Sequence, residues 1–356
     1  MSPELVFGST SDRVTLSARM KRLLLVLFGL NIAINALAAP APQPLYRDPI
    51  YDGAADPVVI WNPHVKRWWM FYTNRRATVT NEPGVSWVHG TRLGIAESTN
   101  GAHWSYIGTA QIELPMEYGG TNVTHWAPEV FTAPDGRHHM FLTVVPGVFQ
   151  DWKHPRAIVQ LTSQDLRTWS NARPLQLATD RVIDACILRV AAGTNQVWRV
   201  WYNNERDRKS IYYADSTDLV TWQDKGKAVG DQSGEGPKVF RWQNRYWMVT
   251  DVWRGLGVYS SADALNWQRQ SGANLLQQPG QGTDDQVIGG HPDVLLNGER
   301  AFLFYFTHPD RRDGVPKEKI YERQRSSILV TELFYRDGKL TCNRDQVPDI
   351  ELKPPQ

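Results

Sequence analysis

Along the chain, a polar residue opens a short apolar run, a turn follows, and a strand rich in alternating aromatic residues comes next; this pattern occurs five times. The copies pair Asp56-Pro57-Val58-Val59-Ile60 with Trp68-Trp69-Met70-Phe71-Tyr72, Glu129-Val130-Phe131 with His139-Met140-Phe141-Leu142, and Asp184-Ala185-Cys186-Ile187-Leu188 with Trp198-Arg199-Val200-Trp201-Tyr202. The fourth pairs Glu235-Gly236-Pro237-Lys238-Val239-Phe240 with Tyr246-Trp247-Met248-Val249, and the fifth pairs His291-Pro292-Asp293-Val294-Leu295 with Ala301-Phe302-Leu303-Phe304-Tyr305. Turn-forming residues sit at every joint, as at Asn62-Pro63, Asp135-Gly136 and Asn297-Gly298, so each copy predicts a β-hairpin. A third apolar strand follows each hairpin, for example Leu93-Gly94-Ile95-Ala96 and Ile211-Tyr212-Tyr213-Ala214.

After four of these third strands the same tag returns, a Ser six positions before a Trp: Ser98 and Trp104, Ser163 and Trp169, Ser216 and Trp222, Ser261 and Trp267. Three tags add an Asp at Asp165, Asp218 and Asp263, which suits a turn whose side chains bond local backbone while the Trp packs at the start of a fourth strand. Four strands repeated five times predict an all-β fold, a five-bladed β-propeller with four antiparallel strands per blade. A β-sandwich would not need this ordered repetition, and no stretch of helical period competes.

The amino terminus breaks the pattern. Met20-Lys21-Arg22 precedes an apolar stretch from Leu23 to Ile34, then Ala36-Leu37-Ala38, which reads as a signal peptide over 20–38. Its apolar run is too short for a membrane span of about 20 residues. Residues 1–19 read as an upstream extension, and 39–356 as one catalytic propeller domain. The expected product is secreted or periplasmic, has no membrane partner once the signal is removed, and is a monomer. Of the two cysteines, Cys186 lies in an apolar run that suits a buried thiol better than a bond to the distant Cys342.

Charge narrows the partners. The 356 residues carry 39 basic and 37 acidic side chains, a net +2, too even a balance for nucleic-acid binding. In a propeller the residues that open the innermost strands gather at one mouth of the central channel. Here these are Asp56, Glu129, Asp184, Glu235 and His291 with Asp293. A single acid beside a strand start reads as a turn former; four acids and a histidine from five blades read as a pocket.

Ala55-Asp56-Pro57, Trp126-Ala127-Pro128-Glu129, Ile183-Asp184, Gly234-Glu235-Gly236-Pro237 and Gly290-His291 occur in that order, one per blade. In this the chain, from about residue 46 onward, resembles the five-bladed glycosidases of glycoside hydrolase family 43. The resemblance implies hydrolysis of O-glycosidic bonds with Asp56 as general base, Glu235 as general acid, and Asp184 tuning and orienting the acid. The chain departs from the family at Ala185-Cys186, where Pro commonly follows the Asp. The resemblance also maps a metal or water contact onto His291, with a buried structural histidine as the other reading. No cofactor is expected for the reaction, and a structural calcium ion near the channel axis is implied by the resemblance alone.

Elementary chemistry agrees with those roles. Inversion needs one protonated carboxyl at the leaving oxygen and one carboxylate across the ring activating water. A neighbouring carboxylate raises the acid's pKa, as Asp184 would for Glu235. Asp48 and Asp52 are rival bases that open no apolar strand, and Glu129 reads as structural or substrate-contacting.

Of the 15 Trp, four belong to the tags and seven lie in strands or at their ends, leaving Trp87, Trp126, Trp152 and Trp253 in loops. Trp126, after His125, is the first choice of sugar platform. His125 and Arg254 are further substrate-binding candidates, and the run Arg311-Arg312 can bond sugar hydroxyls or remain solvated. The long connections Asn74 to Arg92 and Thr307 to Arg325 are expected to shape the subsites, the first overhanging the pocket. The substrate class is a poly- or oligosaccharide bearing arabinofuranosyl, xylosyl or galactosyl units. The alternatives are a non-catalytic sugar-binding propeller and a propeller phosphorylase or transglycosidase.

Overall fold

The computed structural model of the protein describes Met1, residues 38–118 and residues 122–355. The segments read as a signal peptide and an upstream extension lie, apart from Met1 and Ala38, outside the described residues. Residues 38–356 form one compact unit built of five radial sheets, each of consecutive antiparallel strands. Blade 1 comprises Ala54–Asn62, Arg67–Asn74, Gly94–Ser98 and Ser105–Thr109. Blade 2 comprises Thr124–Thr132, His138–Val145, Ala157–Ser163 and Thr168–Pro174, with a short parallel strand, Gln111–Ile112, added at its outer edge. Blades 3, 4 and 5 open with Val182–Ala192, Glu235–Trp242 and Gly290–Asn297, and their hairpin partners are Asn195–Asn204, Arg245–Asp251 and Arg300–Thr307.

Each blade buries both faces, which is why its second strand is apolar at almost every position rather than at alternate ones. Side chains of a strand alternate between faces. Trp68, Met70 and Tyr72 of blade 1 therefore pack with Phe302, Phe304 and Ile328 of blade 5, while Trp69 and Phe71 pack with Met140, Leu142 and Trp169 of blade 2. The other three seams are filled the same way, as by Phe141 with Val200, by Trp201 with Met248, and by Trp247 with Leu303. Trp169, Trp201 and Trp247 are each fully buried, and truncating any to Ala would cost about 3–5 kcal/mol.

The tags form the expected turns. Oδ1 of Asp165, Asp218 and Asp263 accepts two backbone N–H groups each, as from Arg167 and Thr168, and each Asp also bonds the preceding Ser hydroxyl. The residue three after each Ser adopts a left-handed backbone: Gly101, Leu166, Leu219 and Ala264. The ring closes where blade 1 meets blade 5. Ala39–Pro40 pairs with Asp349–Ile350, the Tyr46 N–H donates to the Ile328 carbonyl at 3.1 Å, and Trp68 Nε1 donates to the Leu352 carbonyl at 3.0 Å.

Both cysteines are free thiols. Cys186 is buried and accepts the Val239 N–H at 3.1 Å, across the seam between blades 3 and 4.

Candidate active site

Every innermost strand carries a β-bulge near its start, between Ala55 and Val58, Trp126 and Glu129, Ile183 and Cys186, Glu235 and Lys238, and Gly290 and Asp293. Within each bulge one residue has a left-handed backbone: Asp56, Ala127, Asp184, Gly236 and His291. A Pro follows four of the five. A bulge re-aims a side chain, and Asp and His tolerate positive φ better than most residues. Gly236 has a further reason to lack a side chain, since a Cβ there would lie 2.9 Å from Nδ1 of His291.

This register corrects the expectation of equivalent openers. Asp56, Asp184 and His291 are equivalent, Glu235 stands one residue before the shared position, and Glu129 and Asp293 stand two residues beyond it. That two-residue step takes Glu129 and Asp293 out of the pocket and down the channel. There the Lys238 ammonium lies 2.8 Å from a carboxylate oxygen of each, and all three groups are buried or nearly so. Glu129 is thus structural.

Asp56, Asp184, Glu235 and His291 line one cavity of about 410 Å³ together with Arg75, Trp126, Arg156, Arg181, Glu205 and Lys209. Asp56 is buried, with the Arg75 guanidinium at 3.2 Å and His291 Nδ1 at 3.3 Å. Burial alone would raise its pKa, but Arg75, His291 and the Thr73 hydroxyl hold it below the ordinary value. Asp184 is also buried and accepts the Gly236 N–H at 3.0 Å. Burial, with the charges of Glu235 and Asp56, pushes its carboxyl up to about 7. Asp184 is thus a buried carboxyl that ionises late, next to Glu235. Glu235 accepts from Lys209 Nζ at 2.7 Å.

His291 is held above its usual pKa. Burial opposes its charge, but Asp56, Asp184, Glu235 and Asp251 outweigh that penalty. Its Nδ1 faces Asp56, and the acids further down the channel already hold an ammonium. Among the described residues, no three His, Cys, Asp or Glu side chains are arranged to hold a metal ion.

Two substrate-binding candidates fall outside the cavity. His125 is buried within the first strand of blade 2, and neither ring nitrogen has a hydrogen-bond partner among the described residues; burial and Arg92 lower its pKa to about 4. Arg254 is exposed and lines no described cavity; its carbonyl accepts from Asn274. Asp48 accepts the Tyr72 hydroxyl at 2.6 Å and Asp52 pairs with Arg47, so neither rival base lines the pocket. Trp126 does line it, but is buried, with Nε1 donating to the Val88 carbonyl at 2.7 Å. The open rings are those of Trp152 and Trp253, 50% and 41% exposed at the same cavity.

Sequence reasoning missed Arg75, Glu205, Lys209 and Asp251. Arg75, Glu205 and Asp251 lie at or just beyond the end of a hairpin's second strand, and Lys209 directly precedes the third strand of blade 3, which starts at the same level. A hairpin returns its second strand to the level where the first began, so those ends lie at the same mouth as the openers. Asp251 links two blades, accepting the Trp253 N–H at 2.8 Å and the His291 N–H at 3.0 Å. The Glu205 side chain is only 5% exposed, with Arg156 Nε at 2.6 Å and Lys209 Nζ at 3.5 Å. The loop after Asn74 contributes Arg75 and Val88, as expected of an overhanging segment.

Comparison with known proteins agrees with this architecture. Residues 45–283, about two-thirds of the chain, match the model of a family related to glycoside hydrolase family 43 and described as a probable glycosyl hydrolase domain. A thermostable family-43 glycoside hydrolase is 19% identical, with a TM-score of 0.60 over 87% of this chain and 98% of the other. An α-L-arabinofuranosidase from Lactobacillus brevis is 15% identical, with a TM-score of 0.57 over 84% and 95%. A family-43 β-1,3-galactosidase, solved with galactodeoxynojirimycin, is 14% identical, with a TM-score of 0.57 over 86% and 97%. Among curated proteins nothing matches. With its blades, its bulged acids and its matched residues in agreement, the chain belongs to the glycosyl hydrolase family related to glycoside hydrolase family 43.

Proposed function

We propose that this glycoside hydrolase cleaves O-glycosidic bonds by inversion, with Asp56 as general base, Glu235 as general acid and Asp184 as the group that tunes and orients the acid. The observation that carries the reading is that the three carboxyl groups, brought from blades 1, 3 and 4, share one cavity. Arg75 and His291 keep Asp56 ionised, the state a base needs to take a proton from water. An acid must hold a proton when substrate is bound. Glu235 meets Lys209 in the free protein, so substrate must part that pair before Glu235 can serve as the acid.

The sugar is proposed to be arabinofuranosyl, xylosyl or galactosyl, supported by the similar structures, an arabinofuranosidase and a galactosidase among them. We also propose export, on the signal-like segment at 20–38; sequencing the mature amino terminus should give a residue near Ala39, and a start at Ser2 would refute it. A panel of nitrophenyl glycosides and branched oligosaccharides, read by proton NMR, tests the reaction. The first product formed should have inverted anomeric configuration, and Asp56→Asn should lower kcat by about 10²–10⁴-fold with the fold intact. A retained anomer, or near-normal turnover in Asp56→Asn, would contradict the assignment.

A further inference from the structure

A second cavity, of about 330 Å³, adjoins the first and shares Arg75, Val88, Trp152, Glu235 and Trp253 with it. Beyond those shared residues its walls are Trp87, Val287, Ile288, Phe306 and His308, with Arg311 reaching in from the 307–325 connection. Such a chamber beside a glycosidase centre has the make-up of a sugar subsite: aromatic faces for C–H surfaces and a few polar groups to fix orientation.

Arg311 differs from every other lysine or arginine of the two cavities. Arg75 is paired with Asp56, Arg156 and Arg181 with Glu205, and Lys209 with Glu235 and Glu205. Arg311 makes no ion pair among the described residues. Its Nε donates to the Arg323 carbonyl at 2.9 Å, which fixes the base of the guanidinium and leaves its two terminal nitrogens uncommitted. Partial desolvation of the guanidinium, with Arg75 and Arg323 as its charged neighbours, lowers its pKa to about 10, still fully charged at neutral pH, while the residue as a whole stays open to solvent. His308 adds no negative charge: Arg75 Nη1 bonds its Nε2 at 3.0 Å, Nδ1 bonds the Arg325 carbonyl at 2.9 Å, and burial keeps the ring neutral. The acids at the near side, Glu235 and Asp251, are turned to Lys209 and to the backbone of Trp253 and His291.

We infer that this second cavity is a subsite for an acidic sugar, whose carboxylate pairs with the terminal nitrogens of Arg311 while its ring lies against the aromatic walls. A planar guanidinium matches a carboxylate in a two-pronged pair, which a hydroxyl cannot reproduce. The substrate class is thus narrowed to glycans carrying a uronic acid beside the cleaved residue. This rests on the glycosidase reading, but its test does not need turnover.

Full-length protein and the variant Arg311→Gln are titrated with glucuronate and galacturonate, and with glucose and galactose as the neutral counterparts, following ligand binding by saturation-transfer NMR. At least one uronate should bind the wild type about tenfold or more tightly than its neutral counterpart, as expected for a charge-assisted pair in a partly enclosed site. Arg311→Gln should bring that uronate to the level of the neutral sugar. Equal binding of acidic and neutral sugars, no binding of either uronate, or an undiminished preference in Arg311→Gln would overturn the inference. Galactose 6-sulfate bound more tightly than galacturonate would also overturn it. Failure of the glycosidase reading is seen separately, as absence of hydrolysis across the glycoside panel.

Discussion

Acidic side chains gathered at one mouth of the channel do different work because their neighbours differ. Asp56 faces two cations and stays ionised, whereas Asp184 and Asp251, buried and close to Glu235, are pushed up to about 7. For a carboxyl whose folded pKa lies above its unfolded value, the folded state binds the extra proton. Stability therefore falls as pH rises from near the unfolded value of 3.8 to about 7. Asp251→Asn keeps an oxygen to accept the Trp253 and His291 N–H groups but never ionises. Its thermal midpoint relative to wild type should be higher at about pH 8 than at about pH 5, and a pH-independent difference would argue against a buried, late-ionising Asp251. The three catalytic candidates were legible because they open apolar strands in a repeated unit. Arg75, Glu205 and Lys209 were not, because nothing in their local sequence separates a residue bordering a strand at the mouth from an ordinary turn residue.

At the scale of the element, one bulge repeated five times decides which residues enter the pocket. The sequence pattern placed the strands well, since turn residues and two-faced burial leave strong marks. It placed the level of each side chain less well. A bulge shifts register by one residue, and Glu129, in sequence the counterpart of Asp56, lies two residues deeper and meets Lys238 instead. Lys238, between Glu129 and Asp293, joins the inner strands of blades 2, 4 and 5. Replacing one partner of a buried ion pair strands the others. Lys238→Met should thus cost about 3–5 kcal/mol in urea unfolding, much of it recovered when Glu129→Gln and Asp293→Asn are added. Equal stability of Lys238→Met and wild type would show that the ammonium does not tie the inner strands together. In the outer turns, Asp263→Ala removes the acceptor of the Leu265 and Asn266 N–H groups and should cost about 1 kcal/mol by the same measurement.

Across the whole molecule, the aromatic residues divide by purpose. Strand and tag Trp fill the seams between blades, while Trp87, Trp126, Trp152 and Trp253 all line the two adjoining cavities. The single ring of blades brings acids far apart in sequence to one mouth, and the central claim is that two of them, Asp56 and Glu235, carry the hydrolysis. A general acid matters in proportion to how poor the leaving group is, which gives the role a direct test. The measurement is kcat/KM of wild type and Glu235→Gln on a sugar leaving group and on a dinitrophenyl leaving group that needs no proton. The variant should lose about 10²–10⁴-fold on the first and far less on the second. An equal loss on both, or no loss on the sugar, would contradict Glu235 as the acid.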